Sequence, residues 1–439
     1  MATSDPVVWD VGSQACGKCK QRDAVLIARR EPYCGGCFVR FIRGKQRKPM
    51  GADDRYRVRY HRRPGDDPRH RVAVAASGGV SSVVLVDCVA GMLQDQAHAH
   101  KGRTGFELVV VTIATDDADD TVSARLHQLA ARFPEVSVVV KQVPVAKYID
   151  DKTLYRLRIT PEFAAVVGPP VAHPMTVGEL LAMCVNKSSG EDLLEVVRHQ
   201  LLLEFAVAEG CHTVLYGHSL TRIASDIIAL TVKGRGSAIY RSLNNRTETV
   251  AGAAADVVVM YPLRDVLGAE VSAYAKVAGL DELAATSGVP KSKITKNLTI
   301  RDLTANYFAR LEATGYASTA SAVVKIGDKL APPKGESQGT CGVCGIEVYH
   351  NPQRWLQRIT VESAAPLDTD DERANLAAYE ASAPASAAAA AGDGAALELC
   401  YGCTVSLKGA AADMAWPVNP ERLGPRYNAD DVINELSLE

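Results

Sequence analysis

Two kinds of segment are missing from the 439-residue sequence. Its first residues, MATSDPVVWDVGSQ, contain no basic segment followed by an apolar run, so no secretory signal is visible. The most apolar long stretch, residues 72–92, is interrupted by serine, glycine and Asp87, which predicts a strand, a turn and a helix rather than a membrane span. We therefore expect a cytoplasmic protein that does not contact a membrane.

The composition also lacks any bias that would indicate disorder or a fibrous architecture. Hydrophobic residues make up 47% and charged residues 23% of the chain, which are ordinary values for a globular protein. At roughly 150 residues per domain, the length predicts about three folding units with cores that need no disulfide bonds. In a reducing compartment the eleven cysteines are expected to bind metal rather than form disulfides.

Charge is distributed unevenly along the chain. The formal net charge is −2, but residues 40–71 contain twelve Lys or Arg against four Asp, a net +8 that leaves −10 for the rest. A compact basic segment on an otherwise acidic chain indicates a polyanionic partner, most often nucleic acid. The alternative interpretation is a solvated, flexible linker, and the two are compatible.

Eight of the eleven cysteines lie in Cys-x2-Cys pairs, which is the spacing of zinc-binding knuckles. A 14-residue spacer separates the two N-terminal pairs, and a 55-residue spacer separates the two C-terminal pairs. The longer spacer contains an Ala-rich tract, so we expect a disordered insertion at about residues 365–396. Two structural zinc sites are predicted, against the alternative of unrelated free thiols: Cys16, Cys19, Cys34 and Cys37, and Cys341, Cys344, Cys400 and Cys403.

Between the cysteine modules, short Val-rich runs alternate with helical sequence. Runs this apolar are typical of strands covered on both faces, as in a parallel sheet, so we predict a doubly wound α/β fold. The predicted strands are residues 71–76, 107–114, 136–143, 212–217 and 255–263. The predicted domains are an N-terminal zinc module (1–40), a basic linker (41–70), the α/β domain (71–270), a helical extension (271–335) and a C-terminal zinc module (336–439).

The first predicted strand leads directly into a glycine turn, SGGVSS, and then into a helix. Such a turn directs backbone N–H groups and a helix N-terminus toward an anion, and serine hydroxyls add donors. A tight connection without a ligand is the alternative. The candidate loop residues are Ser77, Gly78, Gly79 and Ser82.

This loop resembles the PP-loop of the ATP-pyrophosphatase superfamily, whose active members usually carry a Lys or Asp where this chain has Val80 and Ser81. Residues 217–222, GHSLTR, are similar to the superfamily's GHNxDD segment but lack both acidic positions, which removes the expected Mg²⁺ anchors. Active thiolases of the superfamily also use a cysteine pair and a further cysteine. Here Cys184 has Lys187 where a second cysteine would stand, and residues 212–340 contain none.

Together with CGKC, EPYCGGCFVRF, KQRK, CGVC and LCYGC, the degenerate loop resembles the family of cytoplasmic tRNA 2-thiolation protein 2. The resemblance implies a partner subunit of the eukaryotic cytosolic tRNA thiouridylase. Its catalytic PP-loop partner would hold ATP, Mg²⁺ and an iron–sulfur cluster. The pair would replace O2 of the wobble uridine in the tRNAs for Lys, Glu and Gln by sulfur from a thiocarboxylated ubiquitin-related modifier protein.

Three functions remain open from the residues alone. The first is a non-catalytic, tRNA-binding subunit of a thiolase heterodimer, the second an adenylating thiolase active by itself, and the third a zinc-ribbon adaptor for proteins. The first predicts no catalytic residue in this chain. It predicts that the following cations bind tRNA phosphates: Arg43, Lys45, Arg47, Lys48, Arg62, Arg63, Arg69 and Arg71.

Overall fold

A computed structural model describes residues 6–60, 70–115, 120–150, 152–172, 175–250, 255–285, 298–330, 335–360, 366–382, 395–409 and 414–418. These residues form two compact units, residues 1–147 with 198–332 and residues 148–197 with 333–439. Among the helices of the described residues, none is long and apolar enough to cross a membrane.

Strands are numbered along the chain. They are β1 (Val7–Val8), β2 (Leu26–Ala28), β3 (Glu31–Tyr33), β4 (His70–Ala75), β5 (Phe106–Ala114), β6 (Val138–Pro144), β7 (Leu154–Ile159), β8 (Ala165–Pro170), β9 (Thr213–Tyr216), β10 (Arg246–Thr249), β11 (Asp256–Met260), β12 (Gly339–Thr340), β13 (Glu347–Val348), β14 (Ala395–Ala396) and β15 (Met414–Pro417).

Helices are numbered in the same way. They are α1 (Gly35–Gly51), α2 (Val80–Ala99), α3 (Thr121–Ala130), α4 (Lys147–Asp150), α5 (Val177–Ala182), α6 (Lys187–Ala208), α7 (Leu220–Val232), α8 (Ile239–Leu243), α9 (Gly268–Val277), α10 (Ile300–Ala313), α11 (Ser318–Gly327), α12 (Pro352–Ile359), α13 (Asp370–Ser382) and α14 (Tyr401–Leu407).

The first unit is built on a six-stranded sheet with the order β10-β11-β9-β4-β5-β6. All neighbours from β11 to β6 are parallel, and only the edge strand β10 pairs antiparallel. Alternate residues such as Val72 and Val74 face a core shared with α1, α2 and α9, while Ala73 and Val214, which point the other way, are equally buried. Burial on both faces explains the apolar runs of β4, β5 and β9, and the predicted parallel α/β fold is confirmed.

The N-terminal cysteine segment belongs to the same unit as this sheet. A small three-stranded sheet, β1-β2-β3, leads into α1, which covers residues 41–51 of the predicted basic linker. Phe38, Ile42 and Met50 recur at helical spacing on α1 and are fully buried, so an apolar face holds this cationic segment in a helix.

The second unit combines two distant parts of the chain around a four-stranded sheet with the order β14-β8-β7-β15. Its pairs are antiparallel, and β7 and β8 lie inside the segment predicted as one α/β domain. Helix α13 occupies the first half of the predicted disordered insertion. The Ala-rich residues 383–394 lie outside the described residues.

Candidate functional site

The four N-terminal cysteines converge at the point where the small sheet meets α1. Cys16 and Cys19 lie on a loop closed by the Ala15–Asp23 bridge, and the amide of Lys20 donates to the Cys16 carbonyl at 2.9 Å. Cys34 is the N-cap residue of α1 and Cys37 lies in its first turn. All four Sγ atoms lie within 4.8 Å of one another, with Cys19 and Cys34 3.8 Å apart.

These sulfur positions fit one tetrahedral metal ion. A Zn–S bond of about 2.3 Å in a tetrahedron separates neighbouring sulfurs by about 3.8 Å, whereas a disulfide would bring two of them to about 2 Å. Burial raises the pKa of Cys16, but hydrogen bonds from the backbone N–H groups of Cys19, Cys34 and Lys18 lower it to about 6. The backbone therefore already favours thiolate, the form that binds metal.

The C-terminal quartet repeats this construction in the second unit. Cys341 and Cys344 lie between β12 and β13, where the Cys341 amide donates to the Ile346 carbonyl at 2.8 Å. Cys400 is the N-cap residue of α14, and its Sγ accepts from the Cys403 amide at 3.4 Å. These four Sγ atoms also lie within 4.8 Å of one another, with Cys344 and Cys400 3.7 Å apart. Thus both predicted quartets come together despite their different spacers.

The N-terminal cysteine module, with its helix α1, is tied to the parallel-sheet core by two ion pairs. Arg29 donates to both carboxylate oxygens of Glu270 at 2.6 and 2.8 Å, and Glu270 is completely buried at the start of α9. Arg43 of α1 donates to Asp87 of α2 at 3.0 Å and to the hydroxyl of Tyr274 at 3.0 Å. The guanidinium group of Arg43, which was predicted to bind tRNA, is therefore engaged by partners within the protein.

The other predicted RNA-binding cations differ in exposure. Arg47 pairs with Asp95, and Arg71 pairs with Glu107 at 3.3 Å. Lys45 lies 5.8 Å from the Phe41 ring centroid. Lys48 is exposed. Three further predicted cations lie outside the described residues: Arg62, Arg63 and Arg69.

The glycine loop lies at the carboxyl end of β4, as predicted. Gly78 has φ +77°, and a Cβ there would come within 2.8 Å of Val122 on α3. Gly79 is the N-cap residue of α2 and provides no side-chain cap. The Ser82 hydroxyl is not directed to a ligand, because it donates to the Gly79 carbonyl at 2.8 Å, whereas Ser77 is exposed.

The GHSLTR segment lies against this loop at the carboxyl end of β9. A Cβ on Gly217 would come within 2.9 Å of the Ser81 carbonyl oxygen, so the two backbones are in contact. Ser219 caps α7 by accepting from the Arg222 amide, and Thr221 bonds to Glu312 of α10. The glycine loop and the GHSLTR segment, the two motifs that resemble the superfamily pattern, are therefore adjacent in space.

Where the superfamily pattern expects carboxylates, this chain has several cations around one carboxylate. Arg222 donates to Asp226 at 2.9 Å, and Arg301 reaches its other oxygen at 3.1 Å. The imidazole of His218 lies 4.0 Å from the same carboxylate. Burial raises the pKa of Asp226, but the two guanidinium groups and His218 hold it below its usual value. This carboxylate is therefore already neutralised by protein cations.

A model of the cytoplasmic tRNA 2-thiolation protein 2 family matches residues 299–405. Proteins of that name from Scheffersomyces stipitis and Debaryomyces hansenii are 43% and 44% identical to this chain. The alignment with the first relative covers 95% of this chain and 95% of that protein. The alignment with the second covers 97% of this chain and 94% of that protein. The chain belongs to this family. Its counterpart from Kluyveromyces lactis is 31% identical over 90% of this chain and 92% of its own length.

Two solved structures are similar to this member of the tRNA 2-thiolation protein 2 family. One is a U34-tRNA thiolase, NcsA, from Methanococcus maripaludis with its [4Fe-4S] cluster, at 16% identity and a TM-score of 0.48, covering 81% of this chain and all of that one. The other is an NAD⁺ synthetase from Burkholderia pseudomallei, at 11% identity and a TM-score of 0.33, covering 67% and 88%.

One polar cluster of this family member was not predicted from the sequence. The Glu248 carboxylate on β10 bonds to His199 of α6 at 3.0 Å and to Arg246, and Arg241 lies 3.4 Å away. His199 also bonds to the Tyr216 hydroxyl at 2.8 Å, at the end of β9. No local motif joins residues that lie 17 and 49 positions apart, so only the fold reveals this cluster.

Proposed function

We propose that this chain is the non-catalytic, tRNA-binding subunit of a heterodimeric cytoplasmic tRNA thiolase. In this proposal the pair 2-thiolates the wobble uridine, U34, of the tRNAs for Lys, Glu and Gln. The sulfur comes from a thiocarboxylated ubiquitin-related modifier protein. Membership of the tRNA 2-thiolation protein 2 family supports a place in this modification.

The side-chain contacts of the GHSLTR segment beside the glycine loop are the observation that carries the non-catalytic role. Adenylation of a uridine oxygen by ATP relies on Mg²⁺, held by carboxylates, to stabilise charge on the leaving pyrophosphate. Residues 220–222 supply no carboxylate for Mg²⁺, Thr221 is bound to Glu312, and Asp226 is neutralised by Arg222 and Arg301. Accordingly, ATP, Mg²⁺ and an iron–sulfur cluster are assigned to the partner subunit.

The two cysteine quartets are proposed to hold zinc in structural sites. Four thiolates in a tetrahedron are a donor set that zinc prefers, and such a site has no open position for substrate. Zinc would hold the loop of Cys16 and Cys19 to the start of α1, and the β12–β13 turn to the start of α14. Neither site is assigned a step in the thiolation reaction.

A reconstituted thiolation assay tests the proposed function. It contains tRNA for Lys, ATP, Mg²⁺, the thiocarboxylated modifier, this chain and a catalytic PP-loop subunit, and it measures 2-thiouridine by mass spectrometry. We expect product only when both chains are present. Thiolation by this chain alone would show an active enzyme, and full activity of the partner without it would leave only the adaptor role.

A further inference from the structure

Helix α1 carries cations that form ion pairs with α2 and exposed cations that do not. The helix contains Arg40, Arg43, Lys45, Arg47 and Lys48 and no carboxylate. As described above, the guanidinium groups at 43 and 47 are paired with aspartates of α2. The side chains at 40 and 48 are exposed, and the described residues provide no ion pair for either.

The two exposed cations lie on one line of the helix surface with a glycine between them. Arg40, Gly44 and Lys48 follow one another at intervals of four residues, so they share the face opposite the buried Phe38, Ile42 and Met50. Eight residues of helix separate the two charges by about 12 Å along the axis, too far for both to meet one phosphate. Neighbouring phosphates of one strand lie closer together than this, so the two cations suit phosphates that are not adjacent along a nucleic-acid strand.

Gly44 leaves this surface low between the charges. A Cβ added there would meet no atom within 4 Å, so neither packing nor a special backbone angle explains the glycine. Glycine inside a helix costs about 1 kcal/mol relative to alanine. At the metal end of the line, a guanidinium nitrogen of Arg22 lies 3.7 Å from the position a Gly36 Cβ would take, which adds a third exposed cation.

We propose that Arg22, Arg40 and Lys48 bind backbone phosphates of one tRNA strand, and that Gly44 lets the strand approach the helix closely. This inference rests on the proposed tRNA-binding function and names a surface different from the predicted one. In this surface Arg22 and Arg40 take the place of Arg43 and Arg47, whose guanidinium groups are paired with aspartates of α2. The helix starts at the N-terminal cysteine quartet, so the metal site fixes one end of the surface.

The test measures tRNA affinity by fluorescence anisotropy between 50 and 200 mM salt for the full chain. The variant Arg40→Gln/Lys48→Gln loses two phosphate contacts, so the affinity of the unmodified protein should fall about tenfold more over this range than that of the variant. The matched control Lys325→Gln removes an exposed charge on α11 and should keep the original salt slope.

Gly44→Leu provides an independent test, because it changes no charge. It should keep the melting temperature or raise it, weaken tRNA binding several-fold, and leave the salt slope unchanged. Unaltered affinity and slope in both variants, with salt-dependent binding by the parent chain, would overturn this surface and leave the proposed function standing. Absence of tRNA binding by the parent chain and by the complex would overturn both. If the variants no longer bound the partner subunit but kept their tRNA affinity, this face of α1 would be a protein-binding surface, and the inference would also be overturned.

Discussion

At the scale of single residues, the cations of the basic segment differ in whether they form ion pairs within the protein. Arg43 is 24% exposed and its partner Asp87 only 4%, so this ion pair is a structural element. Gly91 makes room for it, because a Cβ there would lie 2.6 Å from the guanidinium carbon. A charge count along the sequence cannot separate such an arginine from one that faces solvent.

Arg43→Ala should therefore destabilise the protein rather than selectively weaken RNA binding. The substitution leaves the Asp87 carboxylate buried without its cation, which costs about 3 kcal/mol. Urea unfolding at pH 7 measures the change, and the exposed Lys48→Ala should stay within about 0.5 kcal/mol of the parent. Parent-like stability combined with reduced tRNA affinity would contradict the structural role.

The Glu248 cluster makes a pH-dependent contribution to stability. Burial raises the pKa of Glu248, but the hydrogen bond from His199 and the charges of Arg246 and Arg241 bring it down from 4.5 to about 2. Since the folded pKa is depressed, the stabilisation is complete above pH 4.5 and is lost as pH falls toward 2. It amounts to about 3 kcal/mol.

Glu248→Gln should remove this contribution at neutral pH. It should also make the free energy of unfolding fall less steeply as the pH is lowered. The free energy of unfolding, measured by urea titration at several pH values, should differ between parent and variant by a constant amount above pH 5. The difference should shrink below that pH. A difference that persists unchanged at pH 3 would show that the carboxylate charge is not the source.

At the scale of elements, each cysteine quartet joins a turn to the N-terminus of a helix. Cys34→Ser tests this link, because serine is a good N-cap residue but a poor zinc ligand. Metal content should fall from about two ions per chain to about one, and amide exchange should accelerate in α1. Cys400→Ser should do the same at α14, whereas Cys184→Ser, outside both quartets, should keep both ions.

The glycine loop provides a second test at this scale. Gly78→Ala places a Cβ at φ +77° and 2.8 Å from Val122, whereas Gly102→Ala meets the same backbone strain at φ +81° with no atom within 4 Å. Both should lose about 1 kcal/mol from the left-handed backbone. The first should lose about 1–3 kcal/mol more from overpacking, measured by chemical unfolding. If the two variants lost the same free energy of unfolding, Val122 on α3 would move aside without destabilising the protein.

The elements that sequence reasoning found are those with strong local patterns. The five parallel strands follow from valine-rich runs, and the quartets follow from Cys-x2-Cys spacing. The charge of residues 41–51 predicts a linker, whereas these residues lie in α1, whose Phe38, Ile42 and Met50 recur at helical spacing. Strands β14 and β15 are short and pair with residues more than 200 positions away, so no local signal predicts them.

At the scale of the whole molecule, the proposed function predicts that the glycine loop no longer serves chemistry. Ser82 bonds to its own loop and Ser77 faces solvent, so Ser77→Ala and Ser82→Ala should leave thiolation by the reconstituted pair within about twofold of the parent. The corresponding serines of the catalytic partner are the positive control. A large loss of thiolation activity from either substitution in this chain would show that the loop takes part in the reaction.

The division into two units has a consequence for the order of synthesis on the ribosome. Strands β7 and β8 emerge early, but their neighbours β14 and β15 come from beyond residue 332, after the rest of the first unit has been made. At about 5–20 residues per second, translating residues 198–332 takes on the order of ten seconds. During that interval the β7–β8 hairpin has two unpaired edges, which makes the nascent chain a substrate for chaperones before the second unit can close.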